Sequence, residues 1–303
     1  MADINRSTNY VPVPVDVSRE IMQKTQDASA IMRLARRISL PGTGVNIPVI
    51  TGDPTAEWVA ETGVKPVSNP TVNKKLMQAY KIAVIETFSD EFVRDLPALY
   101  DALVARIPGA LAKLFDATVV GAAEKPGENF DSFALCTAQS LVATSSHTAY
   151  DGLVAADTDI ATHGGVMSGI AIAPQGRGIL LASKDTTGRP LFVNSVAEGA
   201  IPMILGVPCY VNKGIYKAGT AGSSGTPAVV GVAGDWSQAM FGTVEGIKIS
   251  KNDTGTVTVG SGTSATNINL WQQNMIAIRA EIEVGFRADT SMFNLLTGAV
   301  PQS

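Results

Sequence analysis

Apolar and polar positions alternate along residues 275–287 with the two-residue period of a strand that buries one face. Ile276, Ile278, Ala280, Ile282, Val284 and Phe286 form one row, and Arg279, Glu281, Glu283 and Arg287 form the other. This predicts a long strand with a core face and a charged face. A different period governs residues 89–121, where Phe92, Leu96, Leu99, Leu103, Ile107, Leu111, Leu114 and Thr118 recur at three- and four-residue intervals. That spacing predicts a long helix capped by Ser89 and ended near Gly121. Pro97 and Pro108 should kink or segment it, because each removes a backbone donor and crowds the preceding turn. The strand's core face is expected to pack on this helix, far upstream in sequence, which makes one domain discontinuous.

Residues 41–89 read as a long hairpin: Val45-Asn-Ile-Pro-Val-Ile, a Gly52-Asp53-Pro54 turn, a polar tip at 63–70 and a returning strand from Lys75 to Phe88. The tip lacks apolar anchors, so the hairpin should project and need a partner to hold it. Ahead of it lie a Pro-rich extended piece, Tyr10-Val-Pro-Val-Pro, and an amphipathic helix over 18–37, an arm with little core of its own. Residues 123–240 differ in composition. Helix-like segments at 130–144 and 157–168, a helix opening at Pro174, and strands at 169–173, 207–211 and 228–233 predict a compact α/β unit. A strand over 245–250 and a Gly/Ser/Thr loop over 252–266 lead into the final long strand.

With 303 residues and 45% apolar positions, the chain can fill one large or two modest cores. Charged residues are only 17%, against roughly 25% in an ordinary soluble domain, and mean hydropathy is slightly above zero. Much of the surface is therefore expected to face other protein. The formal net charge of −4 lacks the basic excess of a nucleic-acid reader, and the one basic cluster, Arg33, Arg36 and Arg37, fits a solvated helix face. Any DNA contact should be weak and nonspecific. Cys136 and Cys209 sit in apolar contexts without metal or disulfide spacing, as buried thiols of a reducing compartment do. Asp3, Arg6, Pro12, Pro14 and Asp16 interrupt the apolar stretch a signal peptide needs, and no run of about 18 apolar residues exists to cross a membrane.

Catalytic constellations are missing from the sequence. His147 and His163 have no metal-ligand partners at the right spacing. Gly164-Gly165-Val-Met-Ser168-Gly169 departs from the nucleophile turn G-x-S-x-G, and no phosphate loop or dinucleotide fingerprint occurs around Gly231-Val-Ala-Gly234. The pairs Asp157 with Asp159 and Glu281 with Glu283 offer carboxylates, but the second pair shares its face with Arg279 and Arg287, which points to salt bridging between strands or subunits. No enzyme, cofactor or metal site is expected.

Several short segments, in order, carry a resemblance: Ala56-Glu57-Trp58-Val59-Ala60-Glu61, Lys81 with Phe88-Ser-Asp-Glu-Phe92, Gly188-Arg189-Pro190-Leu191-Phe192, Leu205-Gly-Val-Pro208, Gly234-Asp235-Trp236-Ser237 and Arg279-Ala280-Glu281. Over nearly its whole length the chain resembles the major capsid protein family of tailed bacteriophages, the Hong Kong ninety-seven fold shared by encapsulin shells. The resemblance implies an α+β fold in four parts. They are an N-terminal arm at 1–40, an extended loop hairpin at 41–87, a peripheral domain with spine helix at 88–122 and 241–303, and an α/β axial domain at 123–240. It implies a homo-oligomer of pentamers and hexamers in an icosahedral virion that encloses double-stranded DNA and assembles in the host bacterial cytoplasm. Portal and decoration proteins are implied partners, and scaffolding would come from a separate protein, because the chain enters the arm almost at once after Met1.

Trp58, Glu61, Lys65, Arg279, Glu281, Glu283 and Arg287 are the candidate intersubunit contacts. Some relatives crosslink a loop lysine to an asparagine with help from a glutamate, and Lys65, Asn274 and Glu281 resemble those positions. Lys65 lies between Val64 and Pro66 in a tip with little to exclude water, so noncovalent clamping is the expectation. Two other readings stay open: an encapsulin-like compartment, which usually begins with a helix rather than a Pro-rich arm, and an α/β enzyme.

Overall fold

The computed structural model describes residues 15–300 except 43, 52–57, 60, 62–63, 66, 68–70, 91–95, 145–146, 185–187, 190, 193–202, 223–224, 245 and 261–264; at 15–21, 48–51, 71–73 and 96–105 it describes backbone only. The Pro-rich start, Phe92 and most of the hairpin tip therefore lie outside the described residues, as do the side chains of Leu96, Leu99 and Leu103.

The helix expected over 18–37 is two helices and a strand. α1 (Val15–Ala28) stops at Ser29, whose backbone is extended and whose hydroxyl accepts from the Met32 amide to open α2 (Ala30–Leu34). β1 (Arg36–Ser39) then pairs in parallel with β10 (Ala239–Thr243), so Arg33 does not share a helix face with Arg36 and Arg37. Nor is the segment poor in core, since Ala30, Ile31 and Met32 are all buried in the central cluster.

β2 (Val45–Thr51) and β3 (Thr71–Met77) form an antiparallel two-stranded ribbon from Val45↔Met77 to Thr51↔Thr71. The single returning strand expected from 75 to 88 is broken at Gln78 and Ala79. β4 (Tyr80–Ser89) leaves the ribbon and pairs with β14 (Met275–Ala288) in another sheet. Ser89 ends β4 and Asp90 after it is helical, while residues 91–95, which lead to the long helix from the expected cap at Ser89, lie outside the described residues. That helix, α3 (Leu96–Val120), carries Pro97 in its first turn, where a missing donor costs nothing, and runs on through Pro108. Gly121 follows it at φ +82, the left-handed conformation that ends helices. Ile107 and Leu111 pack on Ile276, Ile278 and Ile282 as the two periodicities predict.

The first sheet runs β1-β10-β14-β11, where β11 is Lys248–Asn252, with β4 also on β14. Residues 277–281 are paired on both edges, by β11 and by β4. The expected loop at 252–266 contains an exposed ribbon, β12 (Thr256–Val259) with β13 (Thr266–Asn269), whose β-branched residues favour the pleat.

The second sheet runs β5-β15-β9-β6-β8-β7: β5 is Thr137–Ser140, β6 Gly169–Ile172, β7 Met203–Ile204, β8 Val207–Val211, β9 Val229–Gly234 and β15 Phe293–Thr297. The helix expected over 130–144 is instead a 3-10 turn at Phe133–Leu135 followed by β5, because Phe130 and Phe133 point into the core from irregular backbone. The helix expected over 157–168 starts earlier: α4 (Ala149–Thr162) opens at a reciprocal cap between Thr148 and Asp151. α5 (Pro174–Ala182) begins at its proline as expected. The terminal stretch also departs from expectation. β15 does not stay with the spine helix but enters this sheet between β5 and β9.

That crossing joins the two sheets through one aromatic core. Phe133 stacks on Phe293 of β15 with ring centroids 4.4 Å apart and meets Phe286 of β14 edge-on at 5.6 Å. Phe115 of α3 meets the same Phe286 at 6.0 Å, and Trp236 closes on Phe293 at 5.1 Å. Such pairs contribute about 0.5–1.5 kcal/mol each beyond their buried area, so the hairpin stands on a stiff base.

Candidate assembly site

The hairpin leaves the body at Met77, which is fully buried beside Leu40. Both sit over Gly242 of β10 and Gly285 of β14, which are opposite one another in the ladder. A Cβ on Gly242 would lie 2.4 Å from Leu40 Cγ, and one on Gly285 would lie 2.6 Å from the Gln78 carbonyl oxygen. Only a side-chain-free pair admits this close approach.

Arg287 corrects the expected charged row. Its side chain is nearly buried, because the hairpin exit and the loop at 128–131 close over the end of β14. Its Nε and NH2 donate to the Leu76 carbonyl at 2.8 and 2.6 Å, its NH1 to Asp131 Oδ1 at 2.8 Å and its NH2 to Asn129 Oδ1 at 2.8 Å. The other Asp131 oxygen accepts from the Ala288 amide at 3.1 Å, and Lys75 Nζ donates to the Ala288 carbonyl at 3.2 Å. Arg287 is thus an internal brace rather than an intersubunit contact.

The rest of the row is engaged within the subunit. Arg279 Nε lies 3.0 Å from Glu281 Oε1, and Lys81 Nζ lies 3.7 Å from Glu281 Oε2 and 3.6 Å from Glu283 Oε1. Lys81, Arg279 and Glu283 remain about half exposed, so these pairs are worth at most about 1 kcal/mol each and leave charge to offer a neighbour.

Trp58, Glu61 and Lys65 are exposed near the hairpin tip. The tip is not devoid of apolar groups: Trp58 is 105% exposed, Val64 96% and Val67 85%. Asn274 is also exposed, at φ 49 in the turn before β14, and its carbonyl accepts from the Asp90 amide at 2.8 Å. Seven residues separate it from Glu281, roughly 23 Å of strand, so the two do not meet within the subunit.

No other described group competes as a site. Burial pushes the Cys136 and Cys209 thiols up to about 12, which makes them poor nucleophiles, and Cys136 Sγ donates to the Thr290 carbonyl. His147 and His163 each hold a nearby backbone carbonyl, of Ser140 and Asp159. Among the described residues no cluster of His, Cys, Asp and Glu is placed to hold a metal ion, and no helix is long and apolar enough to cross a membrane.

A spine helix packed on a long strand, a hairpin ribbon braced at that strand's end and a second sheet sharing the same core define a shell-building subunit of the Hong Kong ninety-seven fold. The chain belongs to the Phage capsid family, whose model matches residues 9–291. It is 28% identical over 289 residues to a protein described as the probable major capsid protein of Mycobacterium phage L5, covering 92% of this chain and 87% of that one. A solved structure from Mycobacterium phage Cain matches with a TM-score of 0.68 at 20% identity, covering 90% of this chain and 91% of that chain. The capsid of an empty GTA particle, solved with C5 symmetry, matches with a TM-score of 0.63 at 14% identity over 99% of this chain and 96% of that chain.

Proposed function

We infer that this chain is the major capsid protein of a tailed phage, a structural protein that associates with copies of itself to form the shell of the virion. The observation that carries the reading is a hairpin fixed rigidly at its base and bare at its tip. Met77 is fully buried while Trp58, Val64 and Val67 expose apolar surface that a monomer gains nothing by ordering. A second copy that covers this surface supplies the missing burial, and the low charge of 17% suits broad contacts on several edges.

In finer terms, the subunits form pentamers and hexamers of an icosahedral head around double-stranded DNA, assembled in the bacterial cytoplasm. Residues 1–40 serve as the arm and 41–87 as the strut laid on a neighbour. The spine helix within 88–122 and the strands of 241–303 make the peripheral part, and 123–240 make the axial part, to whose sheet β15 adds a strand. Trp58, Glu61 and Lys65 reach the neighbour, with the half-exposed Arg279 and Glu283, and the more buried Glu281 between them, as a receiving row. Portal and decoration proteins are the further partners this reading implies. DNA contact is weak and nonspecific, in keeping with a net charge of −4.

Electron microscopy of particles formed by the chain, with their contents analysed for nucleic acid and protein, tests the reading. Closed shells that hold DNA when recovered as virions support it. Shells filled with a protein cargo favour a compartment, and a protein that stays single under all conditions refutes both.

A further inference from the structure

We propose that Arg287 is the positioning residue that sets the angle at which the hairpin leaves the subunit, and through that angle the curvature of the shell. The proposal rests on the reading that the hairpin clamps a neighbour. The ribbon of β2 and β3 belongs to neither sheet, and only Gln78 and Ala79 separate it from β4. A two-residue link is a hinge unless something braces it. Met77 in the glycine notch fixes the position of the ribbon's root, but an apolar contact is non-directional and leaves its tilt free.

Arg287 supplies direction. A guanidinium is planar, and its donors leave in fixed directions, so binding two frames at once locks their relative orientation. Nε and NH2 hold the Leu76 carbonyl at the end of β3, while NH1 holds Asp131 and the Glu128 carbonyl, and NH2 also holds Asn129, in the loop packed on the body. Asn129 also reaches the hinge itself, with Nδ2 donating to Gln78 Oε1 at 3.3 Å. Tilting the ribbon takes the Leu76 carbonyl away from a nearly buried charge with little access to solvent. The seven residues of each ribbon strand make an arm of roughly 24 Å, so a tilt of about 10° at the root moves the far end by about 4 Å. A shift of that size exchanges one set of contacts on the neighbour for another.

Arg287→Lys tests this: it keeps the charge beside Asp131 and loses the fork on Leu76. In the unassembled subunit, amide hydrogen exchange should quicken about tenfold or more at 45–51 and 71–77 and stay unchanged along the β4–β14 ladder. In assembly, the variant should give shells of mixed or altered diameter where the parent gives one size. Asn129→Ala, which removes a partly buried partner from a loop outside the aromatic core, should shift both readouts the same way by less, and decides the matter if Arg287→Lys does not fold. Unchanged exchange at the ribbon, or shells of the parental diameter despite quickened exchange, overturns the proposal. A chain lacking 52–72 that still builds normal shells overturns the clamp reading instead, and the exchange result then stands by itself as a measure of the brace.

Discussion

Gly242 and Gly285 face each other across β10 and β14, and the notch they leave is filled by Leu40 and Met77. Two glycines in strand interiors forgo side-chain packing and cost conformational entropy, so the close approach they permit has to return that cost. It does so by seating the root of the arm, through Leu40, and the root of the hairpin, through Met77, at one point on the sheet.

Substituting that pair tests the seat. Gly285→Ala puts a Cβ against the rigid Gln78 carbonyl, and Gly242→Ala puts one against Leu40. Each should lower stability by about 1–3 kcal/mol in denaturant unfolding, with Gly285→Ala the worse because backbone cannot rotate away. Equal stability to the parent would show that the root of the hairpin is loosely held.

Asp116 of the spine helix is fully buried, and it accepts hydrogen bonds from the Ser29 hydroxyl at 2.5 Å and the Ala30 amide at 3.1 Å. Burial pushes its carboxyl up to about 7, against the opposite pull of Ser29, Ala30 and Ile31. With a folded value above the unfolded one, the native state binds the extra proton between about pH 4 and 7, so stability is greatest below that window and falls as pH rises through it. Asp116→Asn keeps an acceptor for Ser29 and cannot ionise. Its unfolding free energy should gain on the parent from pH 5 to pH 8, by an amount on the order of a few kcal/mol, read by denaturant unfolding at each pH. Parallel curves for the two proteins would mean that the three donors outweigh burial.

Trp58 touches nothing it could stabilise in its own subunit, being fully exposed. Trp58→Ala should leave subunit melting unchanged and raise the concentration needed for assembly at least tenfold, as loss of an interface aromatic worth about 2 kcal/mol requires. A fall in subunit stability, with assembly intact, would place Trp58 in the monomer's own packing.

Covalent crosslinking needs a neutral lysine held against an amide carbon and a carboxylate free to take the proton. Lys65 is exposed, and Glu281 already holds Arg279 and Lys81. Particles boiled in detergent should therefore run as single chains on a denaturing gel. A ladder of multimers abolished by Lys65→Ala or Asn274→Ala would show that neighbouring subunits build the dry site this one lacks.

The spine helix and β14 were legible because each repeats its apolar positions over many residues with one local period. Elsewhere the determinants are not local. Phe130 and Phe133 have the three-residue spacing of a helix, yet they are held by Phe286 and Phe293, which lie more than a hundred residues away. The break at Gln78 was hidden because both rows of the returning strand are largely apolar, so no change of face marks the change of sheet. Arg287 belongs by alternation to the polar row. What alternation cannot reveal is that Leu76, Asn129 and Asp131 cover that end of the row. Among the assembly residues, the exposure of Trp58 and Lys65 followed from their place in the hairpin, whereas the glycine notch had only strand glycines as its signal.

The central claim is that the braced hairpin joins subunits into a shell, and it is tested most directly by sedimentation and electron microscopy of the intact chain beside a chain lacking 52–72. The intact chain should form pentamers, hexamers or closed shells. The shortened one should melt at nearly the same temperature and build no stable shell. A monodisperse intact monomer at high concentration, or normal shells from the shortened chain, would contradict the account.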